Sequence, residues 1–382
     1  MINFSNRIKV IVFVFLIGSM VMGCSQKEKD TTGEEDVVYI DMDAKYPKKE
    51  IYIKEIIPLE MNDTSVIGRS RKVIEHEGNY FVLDYRQRDI KVFDDQGKFR
   101  YKIGNIGQGD HEYISLQDMN INPFSHSLDI LDPRGKLLSF DLKTHQYHPD
   151  KIIPAGVPQI SHFYRMDPEL MVMNSFFQEY LLRFYNQSEN AIFKVLLESE
   201  MIPTPAGGFF DYYPFWGFDD EINYLDENSS SIYQIKDLEI EKRLQFDFGR
   251  HHFDYPEIKD KDIEDLEVYT NVNEKAFPIM SCFENDQYLG IGIYFKSAIH
   301  YYLQDKNEDE IYVLPVGIYD QNFMDCFAFA MGLNTDEFRA LVHTPVMFDE
   351  IFPDADIPDE WRSMIETASD IDNPWIVHYE VR

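Results

Sequence analysis

Residues 71–103, RKVIEHEGNYFVLDYRQRDIKVFDDQGKFRYKI, leave the chain few choices of fold. Val73 and Ile74 lie in a short run that Glu77-Gly78-Asn79 turns back. Residues 80–83 are densely apolar and end at Asp84. A polar loop, Tyr85-Arg86-Gln87-Arg88, leads to residues 90–93 and the turn Asp95-Gln96-Gly97. Phe99, Tyr101 and Ile103 then alternate with Arg100 and Lys102, the period-two pattern of a half-buried strand. Four antiparallel strands with tight turns, an inner one more apolar than the outermost, make one blade of a β-propeller.

Five looser copies follow. The second occupies residues 116–153 (DMNIN, LDILD, LLSFD), and the third residues 160–197 (HFYRM, LMVMN, YLLRFY, AIFKVLL). The fourth spans 211–248 and the fifth 276–314, while a sixth begins with CFAFAM and FRALVH. Their second strands end at Asp84, Asp132, Asn174, Asp226, Ile293 and Val342, about 42 to 67 residues apart, a blade-like period. The widest spacing holds an acidic insertion at 251–274, read as an irregular excursion. The sixth unit lacks two strands before Pro345. Pro358 suits a first helical position, and Trp361, Met364, Ile365 and Ala368 fall on one helical face. Residues 374–381 then supply a third strand, and residues 51–57 the fourth. Joining the two ends of the chain in one blade removes an edge that would otherwise aggregate. The expected fold is all-β: a six-bladed propeller of four antiparallel strands per blade, closed by an N-terminal strand, with one short helix near the C-terminus.

Residues 1–23 read as an address. Arg7 and Lys9 precede an apolar run at 10–17 that is too short to span a bilayer comfortably. Val21-Met22-Gly23-Cys24 resembles a bacterial lipobox, which implies cleavage before Cys24, lipidation of that cysteine and attachment to a membrane. A plain secretory signal or a transmembrane anchor is the alternative. Residues 24–36 read as a flexible tether and 37–382 as a single propeller domain with the insertion near 251–274. The charged run Gln26-Lys27-Glu28-Lys29-Asp30 is similar to surface-export signals of Bacteroides-type lipoproteins, so the expected location is the outer membrane, exposed at the cell surface. The formal charge is −32, from 36 basic and 68 acidic residues, which excludes a nucleic-acid partner. A monomer is expected.

The blade sequence YFVLDYRQRDIKVFDDQGKF, the glycine-rich link GNIGQGDHEY at 104–113, Phe246-Asp247-Phe248-Gly249 and the ending Asp372-Asn373-Pro374-Trp375-Ile376-Val377 together resemble the six-bladed β-propeller lipoproteins of Bacteroides-type bacteria, relatives of NHL-repeat propellers. In the link, Asp110-His111 stands where that family usually has Pro-Gly. The resemblance covers nearly all of the mature chain and implies fold more than function, since propellers host enzymes, receptors and scaffolds alike.

No catalytic residue, metal ligand or cofactor is assigned. Hydrolase, zinc-protease, Walker and dinucleotide motifs are absent. His251-His252 lacks further ligands at a set spacing, and Asp260, Asp262 and Asp265 lack the Gly and Glu of a calcium loop. Cys282 and Cys326 lie in apolar runs, either as buried thiols or as a pair between neighbouring blades.

Two features remain as candidate ligand sites. Residues 209–218, FFDYYPFWGF, hold Tyr212, Tyr213 and Trp216, which would stack on sugar rings from a loop or pack between blades from a strand. Arg86, Arg88, Arg134 and Lys296 fall in loops joining second and third strands, which share one face of a propeller. There they would form an anion-binding rim or pair with Asp84, Asp89 and Asp132 to fix the loops. The expected function is a cell-envelope lipoprotein acting as a non-catalytic binding or scaffold module for a carbohydrate or protein partner. A propeller hydrolase or lyase acting on carbohydrate or lactone, and a structural component of an outer-membrane uptake complex, are the alternatives.

Overall fold

Alternation of side chains decides how the strands assemble. The computed structural model describes residues 36–153, 160–175, 180–198, 213–226, 229–253, 271–278, 282–315, 327–334 and 337–382. In the first blade Ser70–His76, Asn79–Asp84, Asp89–Asp94 and Phe99–Ile103 lie side by side in chain order. The second strand is buried on both faces. Phe81 and Leu83 join a core with the second blade, whereas Tyr80 and Val82 join a core with the sixth. Such a strand must read as a continuous apolar run, which is why Tyr80 to Leu83 shows no polar alternation.

The same rule repeats around the ring. The second blade comprises Asp118–Asn122, Ser127–Asp132, Lys136–Asp141 and a two-residue outer strand, Lys151–Ile152. The third comprises Ile160–Arg165, Leu170–Ser175, Tyr180–Asn186 and Ala191–Glu198. In the fourth, Phe215–Phe218, Glu221–Asp226, Ser231–Lys236 and Glu239–Asp247 are joined by a fifth strand, Asp36–Tyr39, parallel to the outermost. The fifth has Tyr288–Phe295, Ala298–Asp305 and Glu310–Leu314. The single inner strand expected from PIMSCF is instead two short pieces, Phe277–Pro278 and Phe283–Glu284, both paired with Tyr288–Phe295. Six buried apolar clusters result, one at each blade interface.

The sixth blade closes the ring as expected. Phe327–Asn334, Glu337–Val342 and Trp375–Val381 are completed by Ile51–Pro58, antiparallel to the C-terminal strand. Ile51, Ile53 and Ile56 face the fifth blade, while Ile57 and Leu59 face the first. The expected helix is Asp359–Glu366, with Pro358 just outside it rather than at its first position. Trp361, Met364, Ile365 and Ala368 pack against the core between the fifth and sixth blades. A one-turn helix, Phe348–Ile351, was not foreseen; Phe348 packs on Trp375 at 6.2 Å between ring centroids.

Buried and half-buried ion pairs also join the blades. Arg165 of the third blade reaches Asp129 of the second, Arg339 of the sixth reaches Glu75 of the first, and Arg243 of the fourth grips Glu284 of the fifth. Before entering the sixth blade, the N-terminal segment passes along the fourth and fifth. Tyr46 packs on Tyr302 at 5.7 Å, and Lys48 bridges to Val313.

Candidate functional site

Because neighbouring strands are antiparallel, each inner strand starts where the second strand ends, on the face that carries the links between blades. Asp84 sits at that end in the first blade. Its Oδ2 accepts from the Gly68 amide (2.7 Å) and the Lys91 ammonium (3.0 Å), and its Oδ1 from the amides of Arg69 (3.2 Å) and Gln87 (3.0 Å). Asp132 repeats the arrangement with the Ile114 amide (2.9 Å) and both the amide and guanidinium of Arg134. Burial alone would push the Asp132 carboxyl up, but the Arg134 guanidinium and the two amides more than offset it, leaving it below the ordinary carboxylate value. Asn174 accepts the His162 amide (2.9 Å) in the third blade. These side chains hold the entry of the inner strand in place in the first three blades.

The four candidate cations all lie at turns between second and third strands, and so on this face, but they differ in what they hold. Arg134 is bidentate on Asp132, at 2.9 and 2.8 Å. Lys296 lies 3.3 Å from Glu274 Oε1. Arg88, at φ 57°, donates from Nη1 to the Ile114 carbonyl at 3.3 Å. Arg86 lays its stem against Gly68 and makes no hydrogen bond or ion pair among the described residues. The carboxylates beside these two arginines are taken by lysines instead: Lys91 binds both Asp84 and Asp89, and Lys102 lies 3.6 Å from Asp89.

The aromatic stretch divides. Tyr212 lies outside the described residues. Trp216 is 4% exposed, packs between the fourth and fifth blades and donates from Nε1 to Glu284 at 3.3 Å, so it takes the packing role and offers no sugar platform. Tyr213 is part-buried at the central channel. The Lys72 ammonium lies 4.9 Å from its ring centroid, and the His162 ring packs edge-on at 5.5 Å. Lys72 also donates to Asp118 (2.8 Å) and Asn120 (2.9 Å). Four blades therefore meet at one point. Since the first and fourth blades oppose each other in a six-membered ring, Lys72 and Tyr213 bridge the channel. Sequence inspection missed Lys72, Asp118, Asn120 and His162. The signal was their polarity on inner strands, where a polar side chain faces either the channel or an ion pair between blades.

A further unforeseen pair is Ser70 and His343, with Oγ 2.6 Å from Nε2, joining the first blade to the sixth. Burial, reinforced by the charge of Arg69, pushes the imidazole down to about 4. Among the described residues no carboxylate bonds its Nδ1, so the pair lacks the orienting member of a catalytic triad.

His251 and His252 serve separate structural roles. His251 is buried, with Nε2 2.9 Å from Asp43 Oδ2 and Nδ1 2.8 Å from the Glu274 carbonyl, while His252 stacks on Phe248. Among the described residues no group of three or more His, Cys, Asp or Glu is placed to hold a metal ion. Cys282 is a buried free thiol. Cys24, Cys326, Asp260, Asp262 and Asp265 lie outside the described residues.

Among solved structures, a predicted exported protein of Bacteroides fragilis NCTC 9343 superposes with a TM-score of 0.72 at 14% identity, covering 91% of this chain and 99% of that one. A member of the DUF4221 family from Bacteroides vulgatus ATCC 8482 gives 0.56 at 9% identity, over 88% and 99%. At these identities the likeness is one of fold. No match was found among curated proteins. The sequence matches a family model over residues 51–380, nearly the whole ring. The chain belongs to the family described as Domain of unknown function (DUF4934).

Proposed function

We propose that the protein is a non-catalytic binding or scaffold module of the cell envelope, held at the outer membrane through lipid on Cys24, and that its carbohydrate or protein partner docks on its outer faces. The bridged channel carries this reading. Lys72 donates to Asp118 and Asn120 and lies over Tyr213, so these polar groups, among the described residues at the centre of the ring, satisfy one another. A reactive site needs a reachable cleft with donors and acceptors left to act. The lipobox-like run ending at Cys24 supports the location, as does a fold neighbour described as a predicted exported protein.

The test has two arms. Against a panel of lactones, aryl esters and aryl glycosides, no turnover is expected; turnover abolished by Ser70→Ala or Lys72→Ala would overturn the non-catalytic role. Cys24→Ser should move the protein from the membrane to the soluble fraction, and unchanged membrane retention would overturn the anchor.

A further inference from the structure

We infer that the link face of the first two blades is a docking surface for an acidic protein segment that also carries aliphatic or aromatic side chains. The inference rests on the binding role above and gives it a place and a partner chemistry.

The surface is built on a rigid scaffold. The link at residues 104–113 folds back on itself: Ile106 bridges to Tyr113, whose amide donates to the Asn105 carbonyl (3.0 Å) and whose carbonyl accepts from the Gly107 amide (2.9 Å). The Tyr113 hydroxyl then donates to the Arg88 carbonyl at 2.8 Å, tying the link to the arginine-bearing loop. Gly104 allows this approach, because at φ 144° a Cβ there would lie 2.0 Å from the Tyr113 hydroxyl. His111 takes φ 58°, the left-handed conformation that Pro-Gly would supply, and is held by Asp150 (2.9 Å) and stacked on Tyr147 (5.3 Å). From the Arg88 guanidinium one contact leads to the Ile114 carbonyl, the Ile114 amide bonds Asp132, and Asp132 holds Arg134. Arg88, Ile106, Ile114 and Arg134 are thus neighbours on one fixed surface, with Tyr85 and Arg86 on the same short loop as Arg88.

Charge and exposure give the partner. Asp84 and Asp89 are matched by Lys91 and Lys102, and Asp132 by Arg134, which leaves Arg86 and Arg88 without carboxylates among the described residues, on a chain of net charge −32. At physiological salt, charges beyond about 8 Å are largely screened, so the distant acidic surface is attenuated at the two arginines. Guanidiniums offer planar forks matched to carboxylates. Beside them Tyr85 is 41%, Ile106 53% and Ile114 36% exposed. Scattered exposed apolar residues are ordinary, but arginine with tyrosine and aliphatic side chains is the make-up of a protein interface core. An acidic polysaccharide would use the cations and leave the isoleucines wet.

Fluorescence anisotropy on the full-length protein in mild detergent decides the matter with three probes. These are a peptide interspersing Asp and Glu with Leu and Tyr, an oligoglutamate of equal length, and oligogalacturonate. The mixed peptide should bind tightest, and more weakly as salt rises. Arg86→Glu/Arg88→Glu should weaken it by about tenfold or more. Tyr85→Ser/Ile106→Ser should weaken the mixed peptide while leaving oligoglutamate unchanged, and Lys296→Glu should change nothing. Thermal melting checks that each variant is folded; the Ala pair at 86 and 88, with a smaller loss, substitutes if the Glu pair is not. Binding of oligogalacturonate as tight as that of the mixed peptide overturns the assignment, as does no binding by any probe. Undiminished peptide binding in the reversed variant also overturns it, yet leaves the binding role standing on another face. Turnover in the substrate panel would instead remove the role itself.

Discussion

At Ser70 and His343 the first and sixth blades meet through one short hydrogen bond, and burial keeps the imidazole neutral with a value of about 4 against an ordinary 6.5. A base held this low is protonated first in the unfolded chain. Its contribution to stability is therefore complete above about pH 6.5 and is lost as pH falls towards 4. By pH 4.5 the loss amounts to about 2–3 kcal/mol. Urea melts at pH 7 and pH 4.5 should show His343→Gln losing less stability than the parent by about that amount. Equal losses would mean that the imidazole titrates alike in both states. Arg86 is the contrasting residue, because among the described residues it has no partner to lose. Its replacement by Ala should leave the melting midpoint within about 0.5 kcal/mol, the usual range for a surface position.

Among the elements, the closing strand and the N-terminal fifth strand come from one stretch of chain and differ in what they bury. In Ile51–Pro58, Ile51, Ile53, Ile56 and Ile57 are each at most 5% exposed, and they complete the cores on both sides of the sixth blade. At roughly 1.5–3 kcal/mol per buried side chain, their loss is comparable with a whole domain's net stability of about 5–15 kcal/mol. Deleting residues 51–59 should therefore abolish cooperative unfolding of the entire ring. Deleting Asp36–Tyr39 exposes Leu244 and Phe246 and removes Val38, so it should lower the midpoint and leave one cooperative transition. Calorimetry on the two truncations separates the cases, and an unchanged melting temperature in the first would refute closure by that strand.

For the molecule as a whole, the question is what keeps six similar sheets in register. The apolar clusters provide most of the attraction, and the ion pairs add direction. Asp129, 1% exposed, accepts from Arg165 of the next blade and from Ser139 (2.7 Å) and Asn122 (3.2 Å) in its own. Removing one partner strands the other charge in a dry interface, at a cost of about 3–5 kcal/mol, while replacing both with apolar residues of similar size is often neutral. Asp129→Ala should thus destabilise far more than Asp129→Leu/Arg165→Met. Additive losses in a double-mutant cycle would show that the pair is not coupled.

The blade pattern, the six-fold repeat and the closing strand were legible because each is a property of local alternation. A strand buried on both faces must be apolar throughout, as Tyr80 to Leu83 is, and a strand missing from one end must be found at the other. The C-terminal helix was legible for the same reason, from the one-sided spacing of Trp361, Met364 and Ile365. Tertiary structure decided what each polar side chain faces. Arg134 bonds the aspartate two residues before it, yet Arg86 and Arg88 leave Asp84 and Asp89 to Lys91 in the adjoining strand, and sequence separation does not foretell that choice. Lys72 and Tyr213 are far apart in sequence and meet only because closing the ring sets the first blade opposite the fourth. Trp216 lies in an aromatic run that would serve a sugar site equally well, and only its burial against Glu284 assigns it to the core. Local periodicity fixes which residues are strands, but the partner of a charge depends on which blades closure brings together.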